Sequence, residues 1–134
     1  MEEEIIYYLF SDKDISVFRK IYEAFSLKSL QTEIFIEGDN HWASMLSLDD
    51  FINSYKKGNY ATISYSVNND TNINMISFSY MFDGFLLVGF SVTDSYDFDQ
   101  TKIEYVFADI KFLAKKETVE EMPFKTAERF YKQN

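Results

Sequence analysis

Few side chains in this protein can carry out chemistry, and they fall in two short stretches. The first is Glu37-Gly38-Asp39-Asn40-His41-Trp42, which holds the only imidazole of the chain. In an extended backbone Glu37, Asp39 and His41 share one face, and carboxylates with an imidazole suit a divalent metal. One histidine does not enforce such a site, and Gly38 bends the strand that would present it. No metal is expected there; a polar turn anchored by Trp42 is. The second stretch, Asp94-Ser95-Tyr96-Asp97-Phe98-Asp99, gathers three carboxylates. It lacks the glycine and closing glutamate of a calcium loop, so it predicts a solvated connection ahead of a helix, whose N-terminal dipole favours anions. Both stretches set aromatic rings among acids, a combination that suits contact with another protein.

Catalytic signatures are missing elsewhere. The chain contains no nucleophile elbow, glycine-rich dinucleotide fingerprint, phosphate-binding P-loop or metalloprotease helix motif. The absence of cysteine removes thiolate nucleophiles, disulfides and cysteine-based zinc sites. Asp49-Asp50 is a carboxylate pair, but adjacent helical residues do not face one another, and Asp50 has a capping role described below. An enzyme is not expected, nor is a cofactor.

Composition narrows the partner. The 134 residues carry 22 acidic and 13 basic side chains, a net charge of −9. That charge repels nucleic acid and anionic membranes and attracts a basic protein. The lysine pairs 56–57 and 115–116 read as helix ends, where cations offset the dipole. Fourteen Phe, ten Tyr and one Trp exceed what a small core easily satisfies, because each buried phenol needs a hydrogen-bond partner; a binding surface is the expected outlet. No apolar run reaches the roughly 18–20 residues that span a bilayer. Met1-Glu2-Glu3-Glu4 has the wrong sign for an export signal, which makes the cytoplasm the expected compartment.

The elements can be read from periodicity. Glu3 to Phe10 predicts a strand, and Ser11 to Asp14 offers helix caps. Ile15, Phe18, Ile21, Tyr22 and Phe25 form one helical stripe running to about Leu27. Glu33 to Ile36 is β-like. Ser47 and Asp50 form a capping box ahead of Leu48, Phe51, Ile52 and Tyr55, and Gly58 closes that helix. Three strands follow, in which Ile63, Tyr65, Phe78, Tyr80, Val88 and Phe90 are expected to point at the helices, with Thr62, Ser64, Ser77 and Ser79 on the other face. Phe82 continues the apolar alternation and Met81 the polar one. Asn68 to Asn72 is a turn cluster, and Asp83-Gly84 reads as a two-residue type I′ hairpin. Residues 101–116 carry helical spacing, with Thr101 and Glu104 as a capping box. Tyr105 and Phe112 fall off the stripe, so a strand for the first half stays open. Pro123 can open a last helix bearing Phe124, Ala127 and Phe130. The whole predicts a single α+β domain over residues 1–134: an antiparallel β-meander with helices packed on one face.

A small, acidic, cysteine-free α+β chain rich in Tyr and Phe, with the stretch Ser47-Leu48-Asp49-Asp50-Phe51-Ile52-Asn53-Ser54-Tyr55 before a β-meander, resembles the immunity proteins of bacterial polymorphic toxin systems. The resemblance implies stoichiometric inhibition of a cognate toxin domain, and it carries over no individual residue. Asp94, Tyr96, Asp97 and Asp99 are the expected partner-binding residues, with Glu37, Asp39, His41 and Trp42 as the second patch. Two other classes remain: an acidic nucleic-acid mimic or secretion chaperone, and a small-molecule-binding α+β domain whose aromatics line a pocket.

Overall fold

A computed structural model describes residues 4–12, 14–36, 47–67, 73–92, 103, 105–119 and 124–132. Its frame is a six-stranded, wholly antiparallel sheet: β1 Glu4–Ser11, β2 Thr32–Ile36, β3 Ala61–Ser66, β4 Ile73–Tyr80, β5 Phe85–Val92 and β6 Ala114–Thr118, in the spatial order β2-β3-β4-β5-β1-β6. Helices α1 Ser16–Ala24 and α2 Leu48–Lys56 cover one face, and a short α3 Ala127–Lys132 packs on the other.

Period-two alternation decides which side chain goes where. Ile63, Tyr65, Phe78, Tyr80, Val88 and Phe90 all enter the main core with Phe18, Ile21 and Phe51 of the helices. Ser64, Ser77 and Ser79 lie on the opposite face and are half-buried. β1 sits between β5 and β6, so both of its edges are paired, and each of its faces is covered by a core cluster. Ile6, Tyr8 and Phe10 join the main core, while Ile5, Tyr7 and Leu9 join a second cluster with Phe124, Ala127 and Phe130. That is why its sequence reads as an unbroken apolar run.

Much of the aromatic surplus goes into these cores rather than onto the surface. Tyr7, Tyr8, Tyr60, Tyr65 and Tyr80 are all buried, and several phenols find partners. The Tyr80 hydroxyl donates to the Asp12 carboxylate at 2.7 Å, and that of Tyr55 donates to the Asp12 carbonyl at 2.9 Å. Asp12 also caps α1. Ile15 at the N-cap position is left-handed (φ 62°) and offers no side-chain acceptor, so the Asp12 carboxylate reaches forward to accept the amides of Val17 (3.2 Å) and Phe18 (3.1 Å). One buried acid thus ties α1, α2 and β4 together. Burial beside that acid pushes the Tyr80 phenol far above its ordinary pKa, and burial raises Tyr65 as well.

The capping box of α2 forms as its spacing predicts: Ser47 N–H donates to Asp50 Oδ2 at 2.7 Å, and Asp50 N–H donates to Ser47 Oγ at 3.3 Å. The Ser47 amide, with the Ser47 hydroxyl that donates to the same Oδ2 at 3.0 Å, holds the Asp50 carboxyl below its usual pKa. Gly58 closes the helix at φ 77°.

Three local expectations are corrected. The helical spacing of residues 101–116 holds only at its start: Ile103, Tyr105 and Val106 are helical, Phe107–Asp109 is a 3₁₀ turn, and β6 takes over from Ala114. The free edge of β1 overrides local periodicity by pairing with the chain there, Tyr7 opposite Lys116. The Asp83-Gly84 hairpin is not type I′, because Asp83 is not among the positive-φ residues whereas Gly84 is (φ 85°). Gly84 N–H donates to Met81 O and Met81 N–H to Phe85 O, each at 2.9 Å; this is a three-residue loop with a left-handed glycine. Met81 keeps the face that alternation gives it but is buried there in the second cluster, and Phe82, expected in the core, falls in the loop and is exposed. The Asn68 to Asn72 cluster, Thr101, Glu104 and Pro123 lie outside the described residues.

Candidate functional site

The sheet face opposite α1 and α2 carries hydroxyls across neighbouring strands. One cross-strand row runs Ser64, Ser77, Gly89, Tyr7 and Lys116; the next runs Thr62, Ser79, Leu87, Leu9 and Ala114; a third holds Met75, Ser91, Ile5 and Thr118. Polar residues are tolerated here because helices cover only part of this face. Thr62 Oγ1 lies 3.0 Å from Ser79 Oγ and 3.1 Å from the Tyr60 hydroxyl.

Gly89 shapes the floor. A Cβ there would meet Ser77 Oγ at 2.8 Å and Tyr7 Cε1 at 2.9 Å, so the missing side chain lets the Tyr7 ring lie close over the sheet. Phe124 stands edge-on against that ring, at 6.1 Å and 89°. The wall that includes Phe124 is pinned to the β4–β5 hairpin: Asp83 Oδ2 accepts the Ala127 amide at 2.8 Å, and Phe82 N–H donates to Lys125 O at 3.0 Å. Lys116 Nζ donates to Phe130 O at 2.8 Å and sits over the Phe124 and Phe130 rings; desolvation lowers its pKa. Between this wall and Tyr60 lies a half-open concavity of about 270 Å³.

Among the described residues its lining holds hydroxyls, aromatic rings and aliphatic groups but no carboxylate, imidazole or ammonium. No described lining residue is a base that could activate a serine; the hydroxyls and rings offer hydrogen bonds and apolar contact to a ligand. Among the described residues no three His, Asp or Glu side chains gather as metal ligands, and no helix is long and apolar enough to cross a membrane.

Asp94, Tyr96, Asp97 and Asp99 lie outside the described residues, as do Glu37, Asp39, His41 and Trp42. The strands place their points of departure apart. β2 ends at Ile36, level with Ala61 and Tyr80, whereas β5 ends at Val92, level with Ile73 and Glu4. Ile36 and Val92 therefore stand at opposite ends of the sheet. The concavity was only half visible beforehand: the polar alternation of Thr62, Ser64, Ser77 and Ser79 marked an open face, and a lone glycine inside an apolar strand signals a close approach. Tyr7, Tyr60 and Phe124 had no such signal.

No protein-family model and no curated protein matches this sequence. The fold does have a likeness among solved structures. A chain in the crystal structure of the toxic C-terminal tip of CdiA from Pseudomonas aeruginosa in complex with immune protein is similar over 87% of this chain and 84% of that one, with a TM-score of 0.54 and 13% identity. The likeness is one of fold.

Proposed function

We propose that this protein is an immunity-type inhibitor that binds a toxin domain stoichiometrically, blocks it, and performs no chemistry of its own. The observation that carries the reading is the fold likeness to a chain from a toxin tip–immune protein complex, which extends over most of both chains. Fold alone does not specify function; the net charge of −9 adds attraction for a more basic partner in the cytoplasm. The contact surface in this reading is Asp94, Tyr96, Asp97 and Asp99, with Glu37, Asp39, His41 and Trp42 as the alternative. Tyr96 is the anchor and the acids steer association.

The test is to sequence the genes on either side of this one and co-express it with each toxin-like reading frame found there. Growth rescue and a one-to-one complex by light scattering are expected. Replacing Asp94, Tyr96, Asp97 and Asp99 together with Ala should then weaken the complex, and added salt should slow association of the unaltered pair as screening shortens the field to about 8 Å. No rescue and no complex would overturn the immunity reading. A fully rescuing quadruple variant would instead move the interface to the Glu37–Trp42 stretch or elsewhere.

A further inference from the structure

We infer that the concavity beside Tyr7 and Tyr60 is a binding site for one small uncharged ring bearing several hydroxyl groups, a pyranose or a ribofuranose. Its size comes first. Small-molecule sites usually span about 300–1,000 Å³, and about 270 Å³ admits a single ring rather than a chain. Charge comes second. Among the described residues the lining carries no ionic side chain, so an ammonium or phosphate would lose water there without gaining a counter-charge from them.

Hydrogen-bonding type comes third. A serine or threonine hydroxyl is both donor and acceptor, which matches ligand hydroxyls in either orientation. Ser64 and Ser77 are direct cross-strand partners, about 5 Å apart at the backbone by sheet geometry. Among the described residues neither hydroxyl has a hydrogen bond, whereas Thr62 and Ser79 one row away are joined to each other. The first pair is thus available and the second is pre-ordered. Shape comes last: the Tyr7 ring, held low over Gly89 and braced by Phe124, supplies a flat apolar wall for the C–H face of a sugar ring. Strands β3, β4 and β5 hold these groups on rigid backbone, so little ordering is lost on binding.

The site does not rest on the toxin-directed reading, and its test uses this chain alone. Amide chemical shifts are followed by NMR during separate titrations with methyl β-glucopyranoside and methyl β-ribofuranoside. Cyclohexanol serves as the single-hydroxyl control and ribose 5-phosphate as the charged one. The expected result is a saturable response to one of the glycosides, centred on Ser64, Ser77 and Gly89, with both controls at least tenfold weaker; which glycoside responds decides between the two sources. Ser77→Val is expected to weaken that binding at least tenfold. Ser64→Val is the second variant in case crowding against Gly89 unfolds the first, since a β-branched residue suits a strand. Failure of both glycosides to saturate overturns the proposal, as does equal binding of the controls or full binding by a folded valine variant; ordered water would then be the occupant.

Discussion

Removing the Tyr80 hydroxyl is the most direct way to ask what holds the helical layer to the sheet. Tyr80 and Asp12 are each about 1% exposed, and their 2.7 Å bond is one of three that end on the Asp12 carboxylate. Tyr80→Phe keeps the ring against Phe51 and Tyr55 and deletes only the donor. A hydrogen bond to a charged group contributes about 1.5–3 kcal/mol. Phenylalanine has no hydroxyl to desolvate, which puts the expected loss near the lower end, about 1.5–2 kcal/mol. Asp12→Ala is more severe: it strands the Val17 and Phe18 amides and the Tyr80 hydroxyl together, a loss of about 3–5 kcal/mol against a typical total of 5–15 kcal/mol.

The two changes are not additive. In the Asp12→Ala background the Tyr80 hydroxyl is a buried donor without its acceptor, so Tyr80→Phe is expected to be neutral or stabilising there. The double-mutant cycle then gives a coupling of at least about 1.5–2 kcal/mol. Urea unfolding followed by circular dichroism reads it directly: at a slope near 2 kcal/mol per molar, Tyr80→Phe lowers the midpoint by about 1 M. A midpoint shift under about 0.25 M, or the same shift in both backgrounds, would refute the role given to this acid.

Three further outcomes follow from the same geometry. Tyr80, Tyr65 and Tyr55 all have raised phenol pKa values, chiefly from burial; their contribution is complete below the ordinary phenol value near 10 and is lost as pH climbs above it. Urea midpoints should therefore fall above about pH 10, less steeply in Tyr80→Phe, and a flat profile would contradict the burial. Gly89→Ala forces a Cβ to within 2.9 Å of Tyr7 and 2.8 Å of Ser77 Oγ, and is expected to cost about 1–3 kcal/mol in the same unfolding assay; an unchanged midpoint would mean the Tyr7 ring is not held there. Asp83→Ala removes the acceptor of the Ala127 amide, so hydrogen exchange should quicken in α3 far more than in β4, and uniform protection would show that α3 is held by other contacts.

How much of this could be read beforehand depends on the range of the interaction concerned. The strands of the meander and the start of α2 are local: alternation in Ile63–Tyr65 and Phe78–Tyr80 sets the faces, and Ser47 with Asp50 completes a cap within four residues. Misreadings arise where a distant partner outvotes a local pattern. Leu113 and Ala114 continue a helical stripe, yet Leu113 N–H donates to Leu9 O at 2.7 Å because β1 would otherwise leave an edge unpaired. In the hairpin the sequence Asp83-Gly84 fits two turn types, since both need a left-handed glycine and only one needs it of the aspartate. The structure uses the type that leaves the Asp83 carboxylate accepting the Ala127 amide, and residue 127 is too far along the chain for a turn rule to see.

The candidate surfaces divide in the same way. Carboxylates among aromatics at Asp94–Asp99 and Glu37–Trp42 are compositional signals, visible without knowing any neighbour, and they say what a surface could attract rather than what shape it has. The hydroxyl-lined concavity is the converse case. Its polar stripe is local, but its floor and wall depend on β1 inserting beside β5, so that Tyr7 meets Gly89 across a separation of more than half the chain. Alternation could place Ser64 and Ser77 on an open face; only the strand order makes that face a concavity. The shape of this concavity is therefore set by topology, whereas the net charge of −9 is already written in the composition.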